Sequence, residues 1–151
     1  MIEKNEKFLS KFQELLCKSY LNLSINISSK IPLSNLILRT GKIVKNGVWR
    51  GKDVLDLSSM PNNNIFINDF SNGDNFKTNI KSINNYDLVY GSIRPYFKKS
   101  GIAIDVNYIA GTVFSFRPKN ELDFIWLLAL ICSNDFHIYS QQEILKAQKC
   151  Q

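Results

Sequence analysis

Apolar residues near the start of the chain recur at spacings of three and four, which predicts an amphipathic helix over residues 2–23. Lysine and glutamate side chains occupy the opposite face. Such a stripe either folds back onto its own domain or packs against another helix in a coiled coil. The apolar repeat spans too few heptads to decide between the two. The stripe consists of Phe8, Leu9, Phe12, Leu15, Leu16 and Tyr20.

Residues 43–116 show short apolar runs separated by turns rich in Asn, Gly and Pro, which predicts a β-rich region. Turns are expected at residues 61–64, 71–74 and 84–85. Just before this region, residues 36–39 suit either a short helix or a strand. The strand candidates are residues 54–57, 65–67, 87–90, 101–104 and 112–116.

The last part of the chain is predicted to be helical. Residues 122–132 are apolar nearly all round, which indicates a helix buried against a sheet, with Glu121 and Asp123 in its first turn. Asn134 and Asp135 are expected to cap a further helix that runs to about residue 149.

The elements together predict an α+β fold with three parts. Residues 1–24 form an N-terminal amphipathic helix of coiled-coil type, and residues 25–33 form a Ser/Asn-rich linker. Residues 34–151 form a domain in which a bent mixed β-sheet is packed by a C-terminal apolar helix.

The charge distribution narrows the class of partner. The net charge is +6, and residues 36–119 contain twelve Lys and Arg against six Asp and Glu. This excess suggests a polyanionic partner. No apolar run reaches the roughly 18 residues that span a bilayer, and the charged N-terminus is no secretion signal. The three cysteines form neither a disulfide framework nor a zinc pattern, so a cytoplasmic protein without membrane association is expected.

The sequence offers no catalytic constellation. Its one histidine, His137, lies on a predicted helix between Phe136 and Ile138 and is expected to be a packing or surface residue. No Cys/His set has metal-ligand spacing, and no phosphate-binding glycine loop occurs. Asp53 and Asp56 are three apart and would not share one face of a strand. We therefore expect no catalytic residues, no metal site and no cofactor in this chain.

Residues 90–101, Tyr-Gly-Ser-Ile-Arg-Pro-Tyr-Phe-Lys-Lys-Ser-Gly, place three cations and several aromatic rings around one proline. Cations neutralise phosphates, and Tyr or Arg can stack or form hydrogen bonds at base edges. Pro95 is expected to hold Arg94 extended at the end of a strand. The alternative interpretation is a solvated basic turn.

Other basic residues also fall in loops or at strand ends, several of them beside a glycine or an aromatic residue. Trp49 either stacks on a ligand or covers the core, and the core is favoured. A single lysine is by default a solubility residue, so the collective pattern carries the prediction. The candidate contacts to a polyanionic, nucleic-acid-like partner are Arg39, Lys42, Lys45, Arg50, Lys52, Lys77, Lys81, Arg94, Tyr96, Lys98 and Lys99. Arg94 and Tyr96 are expected to read bases or brace their loop, and the lysines at 98 and 99 to face outward.

Three stretches, in order, resemble the target recognition domain of the specificity (S) subunit of type I restriction-modification systems. They are residues 56–60 (Asp-Leu-Ser-Ser-Met), 87–96 (Asp-Leu-Val-Tyr-Gly-Ser-Ile-Arg-Pro-Tyr) and 112–119 (Thr-Val-Phe-Ser-Phe-Arg-Pro-Lys). An apolar helix and residues 133–139 follow, so the resemblance covers about residues 34–140. It implies a non-catalytic, sequence-specific DNA-binding domain that recognises one half of a bipartite target.

The resemblance also implies the partners, which are double-stranded DNA and the modification (methyltransferase) and restriction subunits. S-adenosylmethionine and ATP would belong to those subunits. Long helices of this family pair into an antiparallel coiled coil, so the N-terminal stripe is expected to pack against a partner helix, in self-association or with a second S half.

The chain departs from the family pattern at its C-terminus. Residues 141–151 lack the Gly-Thr turn, the short strand and the distal helix of the family, so the chain resembles a truncated second half. Two other functions are considered. One is a truncated interaction subunit that assembles through its N-terminal helix without binding DNA, and the other is a small nuclease-like enzyme.

Overall fold

A computed structural model of the chain describes residues 31–77 and 79–149, with side chains through Lys146, and five residues of the N-terminal segment. These five, Lys11, Phe12, Glu14, Leu15 and Lys18, are helical, and Glu14 forms ion pairs with both lysines. The rest of the predicted helix over residues 2–23 and most of the predicted linker lie outside the described residues. So do the stripe residues Phe8, Leu9, Leu16 and Tyr20.

The described residues form ten short strands. In chain order they are β1 (Ile37–Arg39), β2 (Lys42–Ile43), β3 (Asp53–Leu55), β4 (Phe66–Ile67), β5 (Ser71–Asn72), β6 (Ile80–Ser82), β7 (Leu88–Gly91), β8 (Ser100–Ala103), β9 (Tyr108–Ala110) and β10 (Val113–Pro118). Sheet A has the order β1-β10-β7-β8-β4, and sheet B has the order β2-β6-β9-β3-β5. Each sheet contains one parallel pair, β4 with β8 and β3 with β9, so both are mixed.

Within the described residues from 31 onward, three helices accompany the sheets. They are α1 (Leu33–Leu36), α2 (Phe124–Cys132) and α3 (Asn134–Lys149). Three short 3-10 turns lie at Gly73–Asn75, Pro95–Phe97 and Glu121–Asp123.

The two sheets face each other and enclose the central core. Leu55 and Ile109 of sheet B are fully buried against Ile67, Val89 and Val113 of sheet A. Because side chains alternate along a strand, apolar residues on the other face of sheet A need a second cover. This cover is supplied by α2 and α3.

The helix layer and the outer face of sheet A form the second core. Leu127, Leu128 and Ile131 of α2 pack over Tyr90 and Phe116. The α+β class and the packing of a C-terminal apolar helix on a sheet are therefore confirmed. The strands, however, divide between two facing sheets where the sequence indicated one bent sheet.

The outer face of sheet B is covered by a loop. Trp49, from residues 44–52, packs over Val54, Ile80 and Ala110 and is 2% exposed. Its Nε1 donates a hydrogen bond to the carbonyl oxygen of Phe76 at 3.1 Å. The prediction that Trp49 covers the core is confirmed.

All five predicted strands are present, with ends shifted by one or two residues. Residues 36–39 contain both predicted options, since α1 ends at Leu36 and β1 begins at Ile37. Residues 71–74 were expected to be a turn, but Ser71 and Asn72 pair with β3 before the 3-10 turn begins. Ser71 and Asn72 are both polar and show no alternation of apolar and polar side chains. Their pairing is therefore set by contact with β3 and not by a local sequence pattern.

Side-chain caps begin the 3-10 turn that leads into α2 and begin α3. Asn120 Oδ1 accepts from the backbone N–H of Leu122 at 3.1 Å, and Ser133 Oγ accepts from that of Phe136 at 3.2 Å. Ser133 is therefore the cap of α3, and the expectation that Asn134 and Asp135 fill this role is wrong, because both are already within the helix. No described helix is by itself long and apolar enough to cross a membrane; α2 and α3 reach that length only together, across a 65° bend.

Candidate nucleic-acid interface

The chain passes from sheet A to sheet B at Thr40 and Gly41, between the edge strands β1 and β2. The Thr40 N–H donates to the carbonyl oxygen of Ser115 at 3.1 Å. A Cβ atom on Gly41 would lie 2.9 Å from Ser115 Oγ and 3.1 Å from Lys81 Cδ. Glycine therefore permits this close passage, which brings cations of both sheets together.

Two of the predicted DNA contacts converge on one aromatic ring at this crossing. The Cζ of Arg39 lies 5.0 Å from the centroid of the Phe114 ring, and the Nζ of Lys81 lies 5.9 Å from it. Both are cation–π distances. The residues Arg39, Gly41, Ile43, Lys81, Phe114 and Ser115 line a groove of about 300 Å³, which we call the Phe114 groove.

A larger groove of about 650 Å³ continues from the Phe114 groove toward the 92–99 loop. It shares Ile43 and Lys81 with the Phe114 groove and is also lined by Leu57, Asn79 and Thr112. Ile43 is 83% exposed between the two. The result is one continuous depression that crosses the junction of the two sheets.

Asp56 lies in the larger groove but is satisfied by its own turn. Its carboxylate accepts hydrogen bonds from Ser58 Oγ at 2.6 Å, Ser71 Oγ at 2.8 Å and the Ser59 N–H at 3.1 Å. Burial raises the pKa of this carboxyl, but the hydrogen bonds from these three serines outweigh burial and hold the pKa below its ordinary value. The charge of Asp56 thus fixes the turn at residues 56–60.

The 92–99 loop borders the larger groove and is held by its backbone. Ser92 donates from its N–H and its Oγ to the carbonyl oxygen of Thr112, at 2.9 and 2.7 Å. Arg94 has φ 55° and ψ 64°, three residues after β7 ends, so the prediction of an extended Arg94 at a strand end is wrong. The 3-10 turn that begins at Pro95 explains this, because its closing hydrogen bonds are accepted by the carbonyls of Arg94 and Pro95.

Side chains of the same loop divide between solvent and the fold. Ile93, Arg94 and Tyr96 are exposed. Lys98 and Lys99 are half-buried, and the Lys99 ammonium donates to the carbonyl oxygen of Leu57. The expectation that Lys99 faces outward is therefore wrong, since it ties the loop to the 56–60 turn.

The remaining predicted contacts lie elsewhere on the surface. Lys42 is exposed on β2, beside the Phe114 groove. Four cations are exposed on or next to the loop at residues 44–52 that covers sheet B: Lys45, Arg50, Lys52 and Lys77. The Nζ of Lys52 lies 3.2 Å from Tyr108 Oη. The structure thus brings together only part of the predicted set.

Phe114, Ile43 and Ser115 line the groove but were not among the candidate residues. Alternation along 112–116 correctly separates Phe114 and Phe116 from Val113 and Ser115, yet it treats both phenylalanines as equivalent. Phe116 is buried under the helices, whereas Phe114 is 41% exposed. In the sequence, only Gly41, which lies between Arg39 and Lys42, could have indicated that the backbone passes close to other atoms here.

His137 belongs to the core. It is 3% exposed, its Nδ1 lies 3.1 Å from Tyr90 Oη, and its Nε2 lies 3.5 Å from Ser100 Oγ. Burial, with a smaller effect from the charge of Lys98, lowers the pKa of His137 from 6.5 to about 4. The predicted packing role is confirmed. Among the described residues, no group of three or more His, Cys, Asp and Glu side chains is arranged to hold a metal ion.

The architecture is similar to that of a solved structure, the HsdS subunit from Thermoanaerobacter tengcongensis. The similarity covers 99% of this chain and 48% of that chain, with a TM-score of 0.52 and 12% sequence identity. The chain has an HsdS-like fold. It spans about half the length of that HsdS subunit, which agrees with the resemblance to a single recognition half. No family model and no curated protein sequence matches the chain.

Proposed function

We propose that this chain is a target recognition domain that binds one half of a bipartite DNA sequence for a type I restriction-modification complex. The observation that carries the proposal is an HsdS-like fold that covers 99% of the chain and places a cation-lined depression across its two sheets. In this role the chain is non-catalytic and cytoplasmic.

The depression and the 92–99 loop suit different parts of a duplex. Arg39 and Lys81 present positive charge beside an exposed ring, which suits the sugar-phosphate backbone. Arg94 and Tyr96 project from a loop that is fixed to Thr112, and a fixed loop positions side chains for base edges at little entropic cost. Backbone contacts would set the register, and the loop would supply sequence preference.

The implied protein partners are the modification and restriction subunits, which would contribute S-adenosylmethionine and ATP. Leu15 lies on the described helical residues of the N-terminal segment and is 54% exposed. This exposure favours a second function, packing of the N-terminal stripe against a partner helix or a second S half. Substitution of Leu15 by Lys is expected to weaken assembly without weakening DNA binding by the isolated chain, which sedimentation and DNA titration measure separately.

The main test is selection of duplexes from a random-sequence library by the full chain. Repeated selection is expected to enrich one short asymmetric sequence, with binding at least about a hundredfold tighter than to unrelated duplex at the same salt. Arg94→Gln is expected to relax the preference at one position, because a lost bidentate base contact affects a single base pair. Equal affinity for all duplexes would leave only non-specific binding and contradict the proposal.

A further inference from the structure

We infer that the Phe114 groove is a phosphate-binding site, and that in a DNA complex one backbone phosphate is held jointly by Arg39 and Lys81. The DNA source of this phosphate rests on the proposed function. The phosphate chemistry itself rests on the charges of the groove and on unsatisfied hydroxyl groups in and beside it.

The first argument is electrostatic. Arg39 and Lys81 come from different sheets and approach the same ring, and among the described residues neither forms an ion pair. Like charges placed near each other are unfavourable unless an anion lies between or beside them. The nearest carboxylate that lines the connected groove, Asp56, already accepts from three serine residues. An anion bound beside the ring would be attracted by both charges.

The second argument comes from two unsatisfied hydroxyl groups, one in the groove wall and one next to it in the chain. Ser115 lines the groove, and Thr40, whose N–H donates to the carbonyl oxygen of Ser115, belongs to the chain crossing beside it. Both oxygens are buried and have no hydrogen-bond partner among the described residues, and Ser115 as a whole is 5% exposed. Buried hydroxyls are normally satisfied, and phosphate oxygens accept readily from hydroxyl groups.

The third argument is the shape and polarity of the wall. A Cβ at position 41 would come within 2.9 Å of Ser115 Oγ and 3.1 Å of Lys81 Cδ, so glycine leaves the room that these two groups occupy in the wall of the groove. Phe114 and Ile43 are exposed and apolar beside the cations. An apolar surface next to two cations matches a nucleotide, whose phosphate is charged and whose sugar has an apolar side.

The test uses single and double substitutions in the full chain. Arg39→Gln, Lys81→Gln and the double variant are titrated with a mixed-sequence duplex of about 30 base pairs between about 50 and 250 mM NaCl. Lys119→Gln is the matched control, because it removes the same charge at the other end of β10 and was not predicted to contact DNA. Circular dichroism checks that each variant is folded.

Each single variant is expected to bind DNA about tenfold more weakly at low salt, and the control less than about twofold. The log–log salt slope of the double variant is expected to fall in magnitude by about 0.9, the value for one phosphate. A fall of about 1.8 would mean two independent phosphates and would overturn the shared site. An unchanged slope and affinity in a protein that does bind DNA would overturn the groove as the contact.

Inorganic phosphate separates the two sources. The backbone amide signals of Gly41 and Ser115 are followed by NMR during phosphate titration, with chloride as the control anion. Saturable shifts that are lost in the double variant support the phosphate site even if duplex binding is absent, in which case only the DNA source fails. No phosphate-specific shift together with no duplex binding would overturn both the site and the proposed function.

Discussion

The outer faces of the two sheets are buried by different kinds of structure. The outer face of sheet A is covered by two regular helices, and Leu127, Leu128 and Ile131 of α2 are each fully buried there. The outer face of sheet B is covered by the irregular loop at residues 44–52, mainly through Trp49. We call these the helix cover and the loop cover. The helix layer distributes apolar burial over many positions, whereas the loop concentrates it in one ring.

The loop compensates by a close fit to its neighbours. The Gly73 N–H donates to the carbonyl oxygen of Lys52 at 2.8 Å, and a Cβ on Gly73 would lie 2.0 Å from the carbonyl oxygen of Trp49. Backbone atoms cannot move aside as the end of a flexible side chain can. We therefore expect the loop cover to be sensitive to backbone changes and the helix cover to loss of side-chain volume.

The largest effect is expected for Gly73→Ala, because the added methyl group meets the backbone carbonyl oxygens of Trp49 and Lys52, at 2.0 and 2.8 Å. We expect it to cost about 4 kcal/mol of unfolding free energy or to prevent folding. Gly51→Ala, within the 44–52 loop itself, is the matched control, since its φ of +65° is strained but nothing lies within 4 Å of the added atom. It should cost about 1 kcal/mol. Urea denaturation followed by tryptophan fluorescence measures both losses of unfolding free energy. Equal losses for the two variants would contradict the close fit of Gly73 against the loop.

The next effect concerns the helix cover. Leu128→Ala is expected to cost about 3 kcal/mol, because Leu128 is 1% exposed and its removal leaves a cavity against sheet A. Ile125→Ala lies on the same helix at a position that is 53% exposed, and it should cost less than about 1 kcal/mol. If both substitutions cost the same, α2 does not rely on its buried face in the way proposed.

The smallest effect is a pH dependence that belongs to the helix cover alone. His137 has a folded pKa of about 4 against 6.5 when unfolded, so the unfolded chain binds the extra proton between these values. Stability is therefore complete above about pH 6.5 and falls as pH decreases toward 4, by about 2 kcal/mol between pH 7 and pH 5.

The chain has one histidine, so His137→Gln isolates this contribution. Glutamine keeps hydrogen-bonding atoms near Tyr90 and Ser100 but does not titrate. Denaturation midpoints measured at pH 7 and pH 5 are expected to differ in the original chain and to differ much less in the variant. Equal pH dependence in the two proteins would show that another group is responsible.

Sequence patterns predicted the whole helix cover, but of the loop cover they predicted only that Trp49 lies on the core, and the difference has one physical reason. Residues 122–132 are an almost continuous apolar run, which indicates a buried helix without knowledge of the neighbouring elements. The loop at 44–52 and the short strands β2 and β5 are fixed by partners distant in sequence, such as Phe76 for Trp49 and Val54 for Ser71. Local periodicity contains no information about such partners.

The same limit applies to the candidate interface. Arg39 and Lys81 were predicted as separate contacts from charge, but their convergence on Phe114 depends on the crossing between two sheets. Arg94 shows the opposite error, because the local effect of Pro95 indicated an extended backbone and the hydrogen bonds of a 3-10 turn imposed another. Charge could be predicted from the sequence, and geometry could not.

The strand pairings have a consequence for how this protein is made. β1 pairs with β10 in sheet A, and β3 pairs with β9 in sheet B, so each sheet joins early and late parts of the chain. A ribosome must therefore release residues through Pro118 before sheet A can close. Pairings of this range slow folding to milliseconds or longer, and unpaired strand edges stay open to aggregation until then. We expect folding to begin after most of the domain has emerged, with help from chaperones at high expression.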